Sequence, residues 1–257
     1  MINKIYCSEC CKFMKTMPDN FVDLTITSPP YDNLRDYEGY DFIFELVAEE
    51  LYRVTKPSGI VVWIVGDQTI KGSETGTSFK QALYFKEIGF NIHDTMIYKK
   101  SNFSTPSSNR YHQTFEYMFV LSKGKPKTFN PIKDRKNICA GQIGSKGRNT
   151  RRQKDGSLIE TPKTVNKEYG MRHNVWTLKT AGQEKMCQKL DNPAQFSEEL
   201  VQGHILSWSN KGDLVFDPMC GSGTTCVVAK KLERNYIGVD VSKKYCKIAR
   251  QNILKIK

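Results

Sequence analysis

LVFDPMCGSGTT, residues 214–225, decides the fold. An apolar run at 214–216 reads as a short strand. Asp217-Pro218-Met219 closes it, Gly221 and Gly223 follow, and a helix composition begins at Thr224 and continues to Leu232. In a strand, turn and helix of this kind the glycines let backbone approach a ligand where a Cβ would collide. A second strand pattern at 236–239 ends on Asp240, 23 residues after Asp217. That is the spacing at which an acidic side chain meets ribose hydroxyls in nucleotide-binding α/β folds. The dinucleotide fingerprint G-x-G-x-x-G/A is incomplete, because its third position is Cys226. Asp217 at the mouth of the turn suits a ligand carrying a sulfonium and an amino group better than a pyrophosphate.

Working outward, strand and helix patterns alternate. VDLTIT (22–27) is a strand candidate that stops at Pro29-Pro30, since proline lacks the ladder donor. Phe42, Leu46, Val47, Leu51 and Val54 recur at helical spacing, and Lys56-Pro57-Ser58-Gly59 supplies a stop and a turn. IVVWIV (60–65) is apolar throughout, as a strand buried on both faces requires. A helix at 79–88, strands at 95–98 and 115–121, a helix at 198–207 and a final helix complete the series. The alternation predicts a doubly wound α/β sheet.

Ser28-Pro29-Pro30-Tyr31 lies just past the carboxyl end of a strand, where open α/β sheets bind ligands. An exocyclic amine of a nucleobase is a poor nucleophile, because its lone pair is delocalised into the ring. A hydroxyl (Ser28) and a backbone carbonyl (Pro29) accepting its two N–H bonds localise that lone pair. Pro30 stiffens the turn, and Tyr31 offers a ring on which an extruded base stacks. Phe103 and Tyr111 are further candidates for the base pocket.

The chain of 257 residues has room for one large α/β domain and a modest insert, and its net charge is +12. From Lys123 to Lys189 there are 17 Lys or Arg against 5 Asp or Glu, and the remainder is balanced at 22 of each. Confining the excess to one segment suggests a nucleic-acid contact surface, with Arg148, Arg151 and Arg152 as DNA-binding candidates. The expected organisation is a catalytic half at 1–122, a basic recognition insert at 123–185 and a cofactor-binding half at 186–257. With no apolar run of about 18 residues and no signal-like start, a soluble cytoplasmic chain is expected. Its eight cysteines read as reduced thiols. Cys7, Cys10 and Cys11 suggest zinc, but the remaining Cys and His form no second cluster, so no metal is expected.

Together these motifs resemble the β-type DNA amino-methyltransferases, in which the catalytic tetrapeptide precedes the cofactor loop. The family tetrapeptide Asp/Asn/Ser-Pro-Pro-Tyr/Phe/Trp is matched at 28–31. The loop DPFxGSGTT is matched at Asp217, Pro218, Gly221, Ser222, Gly223, Thr224 and Thr225, with Met219 in place of Phe. The resemblance implies a circularly permuted Rossmann-like methyltransferase sheet with a DNA-recognition insert, and S-adenosyl-L-methionine as cofactor. It further implies Asp240 on the ribose and Glu9 on the adenine. DNPAQF (191–196) looks like the family's HPAxFP segment, which places Ala194 and Phe196 at the methionine end; Asn192 and Ser197 depart from that pattern. A serine-first tetrapeptide is associated mostly with N4 of cytosine and an aspartate-first one mostly with N6 of adenine. The implied activity is therefore site-specific methylation of a flipped cytosine at N4, with N6-adenine as the alternative. A catalytically dead DNA-binding protein and an RNA or protein amide methyltransferase are rival readings. Duplex DNA is the implied partner, in the nucleoid of a bacterial-type cell. A separate restriction endonuclease and a homodimer stay open.

Overall fold

A computed structural model describes residues 1–30, 42–101, 108–143, 150–160, 165–179 and 197–256. In chain order the elements begin β1 (Lys4–Cys7), α1 (Cys10–Met14), β2 (Val22–Thr27), α2 (Phe44–Val54) and β3 (Thr55–Val65). A small hairpin β4 (Thr69–Ile70) and β5 (Ser73–Glu74) leads to α3 (Thr77–Glu87), β6 (Asn91–Lys100) and β7 (Phe115–Ser122). Then come β8 (Arg135–Lys136), β9 (Thr150–Arg152), β10 (Leu158–Glu160), β11 (Tyr169–Gly170) and β12 (Val175–Leu178). The chain closes with α4 (Glu198–Trp208), β13 (Leu214–Asp217), α5 (Thr224–Lys231), β14 (Asn235–Asp240) and α6 (Lys243–Leu254).

Eight strands form one sheet in the order β1-β14-β13-β2-β3-β7-β6-β12. All neighbours are parallel except the two pairs made by β7, which runs against β3 and β6. A nearly parallel sheet must be covered on both faces, and its central strands show it. Every residue of β13 is buried, as are residues 60–65 of β3. Helix α2 contributes Val47, Ala48, Leu51 and Val54, spaced three and four apart, to a core shared with Trp63, Phe85, Phe119 and Phe216. The Trp63 indole donates to Gln81 Oε1 at 2.8 Å, so the largest core ring leaves no polar atom orphaned.

The stop and turn expected at Lys56–Gly59 is a bulge within the span of β3. Thr55 pairs with Val22 and Ile60 with Leu24, which leaves 56–59 looped out with Ser58 in the left-handed region (φ 68°). Strand β6 is longer than the expected 95–98, and three short elements, β1, α1 and β12, carry no periodic signal.

Two compact units are present: residues 1–130 with 174–257, and Pro131–His173. The second lies inside the basic segment 123–185. Strand β12 also falls in that segment but belongs to the large sheet, paired with β6. Lys123 is an internal tie, donating to the carbonyls of Tyr52 (2.7 Å) and Thr55 (3.0 Å) with its ammonium over the Tyr52 ring. No helix among the described residues is long and apolar enough to cross a membrane.

Candidate active site

The chain leaves β13 through α5 for β14 on one side, and leaves β2 through α2 for β3 on the other. Strands β13 and β2 are adjacent, with Val215 against Leu24 and Phe216 against Thr25. The connections therefore diverge between them, which opens a crevice at their carboxyl ends. Asp217 ends one strand and Thr27-Ser28 the other. Thr27 Oγ1 donates to Asp217 Oδ1 at 2.9 Å across the gap, although the two residues lie 190 apart in sequence. That hydroxyl, one residue before the tetrapeptide, escaped the sequence analysis and ties the two motifs together.

Asp217 is 2% exposed. Besides Thr27 its Oδ1 accepts the Met219 N–H at 3.2 Å, which fixes the first turn of the loop. Burial pushes its carboxyl up from 3.8 to about 6, and the nearby charge of Asp240 pushes the same way. A buried carboxylate held by a hydroxyl and an amide is short of positive charge, so the cleft suits a cationic ligand.

Pro218, Ser222, Gly223, Thr224 and Thr225 are buried, and Met219 and Gly221 are partly exposed. The hydroxyl side chains of the loop thus pack inward and the backbone of the turn meets the cleft. Gly223, at φ 84°, begins α5, and a Cβ there would lie 2.8 Å from Ala249 Cβ in α6. Only glycine fits both the conformation and the space. Asn252 of α6 donates to the Ser222 carbonyl at 3.1 Å, a support that no motif announced.

Asp240 sits one strand over. One of its oxygens accepts the Gly221 N–H at 2.8 Å and the other the Ser242 N–H at 2.9 Å. It thereby clasps the glycine loop to the start of α6, a role the spacing did not suggest. Strand β1 pairs in parallel with β14, Cys7 opposite Asp240, and Ser8 N–H donates to the Asp240 carbonyl at 3.0 Å, so Glu9 follows at the same edge. Its two carboxylate oxygens accept the amides of Cys11 and Lys12, each at 2.6 Å, capping α1.

The ligand atoms of Glu9, Cys10 and Cys11 lie within 4.8 Å of one another. The carboxylate accepts the helix amides of Cys11 and Lys12, and the three groups are one short of the four ligands that a structural zinc takes.

At the tetrapeptide, Pro29 is buried and Ser28 and Pro30 are half-buried. Tyr31, Phe103, Arg148, Ala194 and Phe196, with the rest of 191–196, lie outside the described residues. Tyr111 is fully exposed. Arg151 and Arg152 are exposed on β9, in the second unit.

A family model described as DNA methylase, covering the N6 and N4 methyltransferases, matches residues 22–251. The orphan methyltransferase M.BamHII of Bacillus amyloliquefaciens is 55% identical over 239 residues, 91% of this chain and 89% of that protein. Among solved structures, the M1.HpyAVI complex with S-adenosylmethionine superposes with a TM-score of 0.62 at 24% identity, over 96% of this chain and 98% of that one. The PvuII cytosine-N4-specific DNA methyltransferase gives 0.69 at 18% identity, over 98% and 86%. The chain belongs to the N6/N4 DNA methylases, and its cofactor is S-adenosylmethionine.

Proposed function

We propose that the enzyme methylates N4 of cytosine in duplex DNA. The observation that carries this reading is a serine at the head of the tetrapeptide, at the switch-point crevice and one residue from the Thr27 hydroxyl on Asp217. The cofactor, when bound, supplies an electrophilic methyl group. Asp217 would supply negative charge at the cofactor cleft, Asp240 would accept from the ribose hydroxyls, and Glu9 would meet the adenine. Ala194 and Phe196 are assigned to its methionine end.

Ser28 Oγ and the Pro29 carbonyl accept the two N–H bonds of the target amine and draw its lone pair toward the cleft. Tyr31 stacks on the extruded base. Once methylated, the amine is acidic and loses its proton to solvent, so no histidine base is required. The catalytic half, basic segment and cofactor half are assigned to 1–122, 123–185 and 186–257, with Arg148, Arg151 and Arg152 on DNA. M.BamHII is described as an orphan, and we infer that this chain likewise acts without a cognate nuclease.

Mass spectrometry of nucleosides from duplex DNA methylated by the wild-type protein tests the base. N4-methylcytosine is the expected product. N6-methyladenine alone would overturn the cytosine assignment and leave the acceptor chemistry standing.

A further inference from the structure

The described residues of the unit Pro131–His173 pair as antiparallel strands in two stretches. The first begins with Arg172 N–H on the Ile132 carbonyl at 2.8 Å, followed by Gly170 against Arg135 and Tyr169 against Lys136. Pairing continues from Asn137 to Glu168, from Gly141 to Asn166 and from Ile143 to Val165. The second stretch is the hairpin of β9 and β10, Thr150 opposite Glu160, Arg151 opposite Ile159 and Arg152 opposite Leu158. Gln153 N–H on the Ser157 carbonyl (2.8 Å) closes a three-residue loop with Gly156 left-handed (φ 84°). Asp155 holds this tip by accepting Ser157 N–H (2.9 Å) and Oγ–H (2.7 Å).

Not one described residue of this unit is buried. A ribbon without a core is marginal by itself and gains its order from what it lies against. Its sequence holds eleven Lys or Arg against four Asp or Glu. Two of those acids are engaged within the unit, Asp134 by Arg172 and Asp155 at the tip. The partner that matches such a surface is a polyanion with a slot wide enough for two strands about 4.8 Å apart. The major groove of duplex DNA, roughly 12 Å wide, admits a two-stranded ribbon.

Cross-strand partners share a face, which sorts the tip into two chemistries. One face carries Thr150, Arg152, Leu158 and Glu160. The other carries Arg151 and Ile159, and strand alternation adds Gln153. The Glu160 carboxylate weighs against turning that face to the groove floor between two rows of phosphates, while the long Arg152 side chain can still reach a phosphate at the rim. The Arg151 face has no acid. It offers a guanidinium fork that matches guanine O6 and N7, a carboxamide that matches adenine, and an aliphatic side chain for a thymine methyl.

We propose that the β9–β10 tip is the sequence reader, with the Arg151–Gln153–Ile159 face toward the base edges and Arg152 on the phosphates. This rests on DNA being the substrate, and the test separates the two. A library of duplex sites is methylated in vitro by wild type, Arg151→Ala, Arg151→Lys and Arg152→Ala, and modified bases are mapped by sequencing. Wild type that leaves duplex DNA unmodified overturns the substrate and the proposal together.

With an active wild type, both Arg151 variants should accept sites altered at one base pair, losing roughly 5- to 150-fold in discrimination there, the contribution of one bidentate pair. Lysine keeps the charge and lacks the fork, so its failure to rescue distinguishes reading from simple attraction. Arg152→Ala should keep the wild-type spectrum and flatten the log–log salt dependence of binding by about 0.9. An unchanged spectrum in both Arg151 variants, or a broadened one in Arg152→Ala alone, overturns the assignment of faces.

Discussion

Replacing Asp217 by asparagine should stabilise the empty protein and weaken its hold on the cofactor. The side chain is 2% exposed, and its carboxyl is raised from 3.8 to about 6, chiefly by burial. A rise of this size corresponds to about 3 kcal/mol of disfavour for the charged form at neutral pH. Because the folded pKa lies above the unfolded one, the folded state binds more protons between pH 3.8 and about 6. Stability therefore falls as pH rises through that window and is level above it. Asparagine keeps an oxygen to accept from Thr27 and from the Met219 amide, and removes the charge. Its new N–H₂ group returns about 1–3 kcal/mol of cost if left unpaired. The expected net gain at pH 8 is then between zero and about 2 kcal/mol, shrinking to nothing or a small loss at pH 4, where the wild-type carboxyl is already neutral. Cofactor affinity moves the other way, by about 10- to 100-fold, because a hydrogen-bonded charge facing a cation is lost. Denaturant titrations of both proteins from pH 4 to 8, with calorimetry of S-adenosylmethionine binding, measure both effects. A stability difference that stays constant across that range, or wild-type affinity in the variant, would refute the reasoning.

Substitutions at four further positions have expected outcomes. Ser28→Ala should lower single-turnover methylation by about 10²- to 10³-fold with cofactor affinity intact, since one of two acceptors for the amine is lost. Asp240→Ala should raise the cofactor Kd about tenfold or more and also lower the melting temperature, because the amides of Gly221 and Ser242 lose their acceptor. Asp240→Asn should recover part of the second effect and little of the first. Gly223→Ala should cost about 1–3 kcal/mol in unfolding titrations, from the left-handed backbone and the contact with Ala249. Thr27→Val should leave the fold intact and weaken both cofactor affinity and turnover, which a purely structural threonine would not do.

The parts of the fold that were legible from sequence are those whose hydrophobic pattern is set by burial on one or two faces. Val22–Thr27 stands at its expected bounds, and the helix ending at Val54 puts Val47, Leu51 and Val54 on the core, whereas Phe42 precedes the helix and Leu46 is exposed. The short edge elements were not legible. Strand β12 has four residues, lies at the sheet margin and buries two of them, Trp176, stacked on His204 at 4.7 Å, and Leu178, too few for a period to show. Strand β1 has four residues and a single buried one, Ile5, too few for a period to show. At the candidate site, the glycine loop, Asp217 and Asp240 stood out by motif and spacing, and they lie together at the ends of β13 and β14. Thr27, Ser242, Asn252 and Ala249 did not stand out, because each acts on a partner distant in sequence or through backbone. The basic segment contains the second compact unit, Pro131–His173, while Lys123 shows that charge counted along a chain includes groups consumed in internal ties.

The Thr27–Asp217 bond gives the permuted order of motifs a physical consequence. The tetrapeptide and the cofactor loop come from opposite ends of the chain, yet they meet on adjacent strands through one hydroxyl and one carboxylate. With no cation present, burial holds the carboxyl near 6, so an appreciable share of it is protonated in mildly acidic solution. A cation in the cleft favours the ionised form, and the bond from Thr27 then becomes charge-assisted, shorter and roughly twice as strong. The end of β2, and Ser28 with it, is held more firmly in the state that has a methyl donor than in the state that lacks one. Linkage requires the converse: whatever fixes the tetrapeptide, an extruded base included, stabilises the ionised carboxyl and tightens cofactor binding by the same factor. On the roles proposed for these residues, a buried carboxylate that costs stability in the empty protein stands where it would couple the cofactor loop to the tetrapeptide.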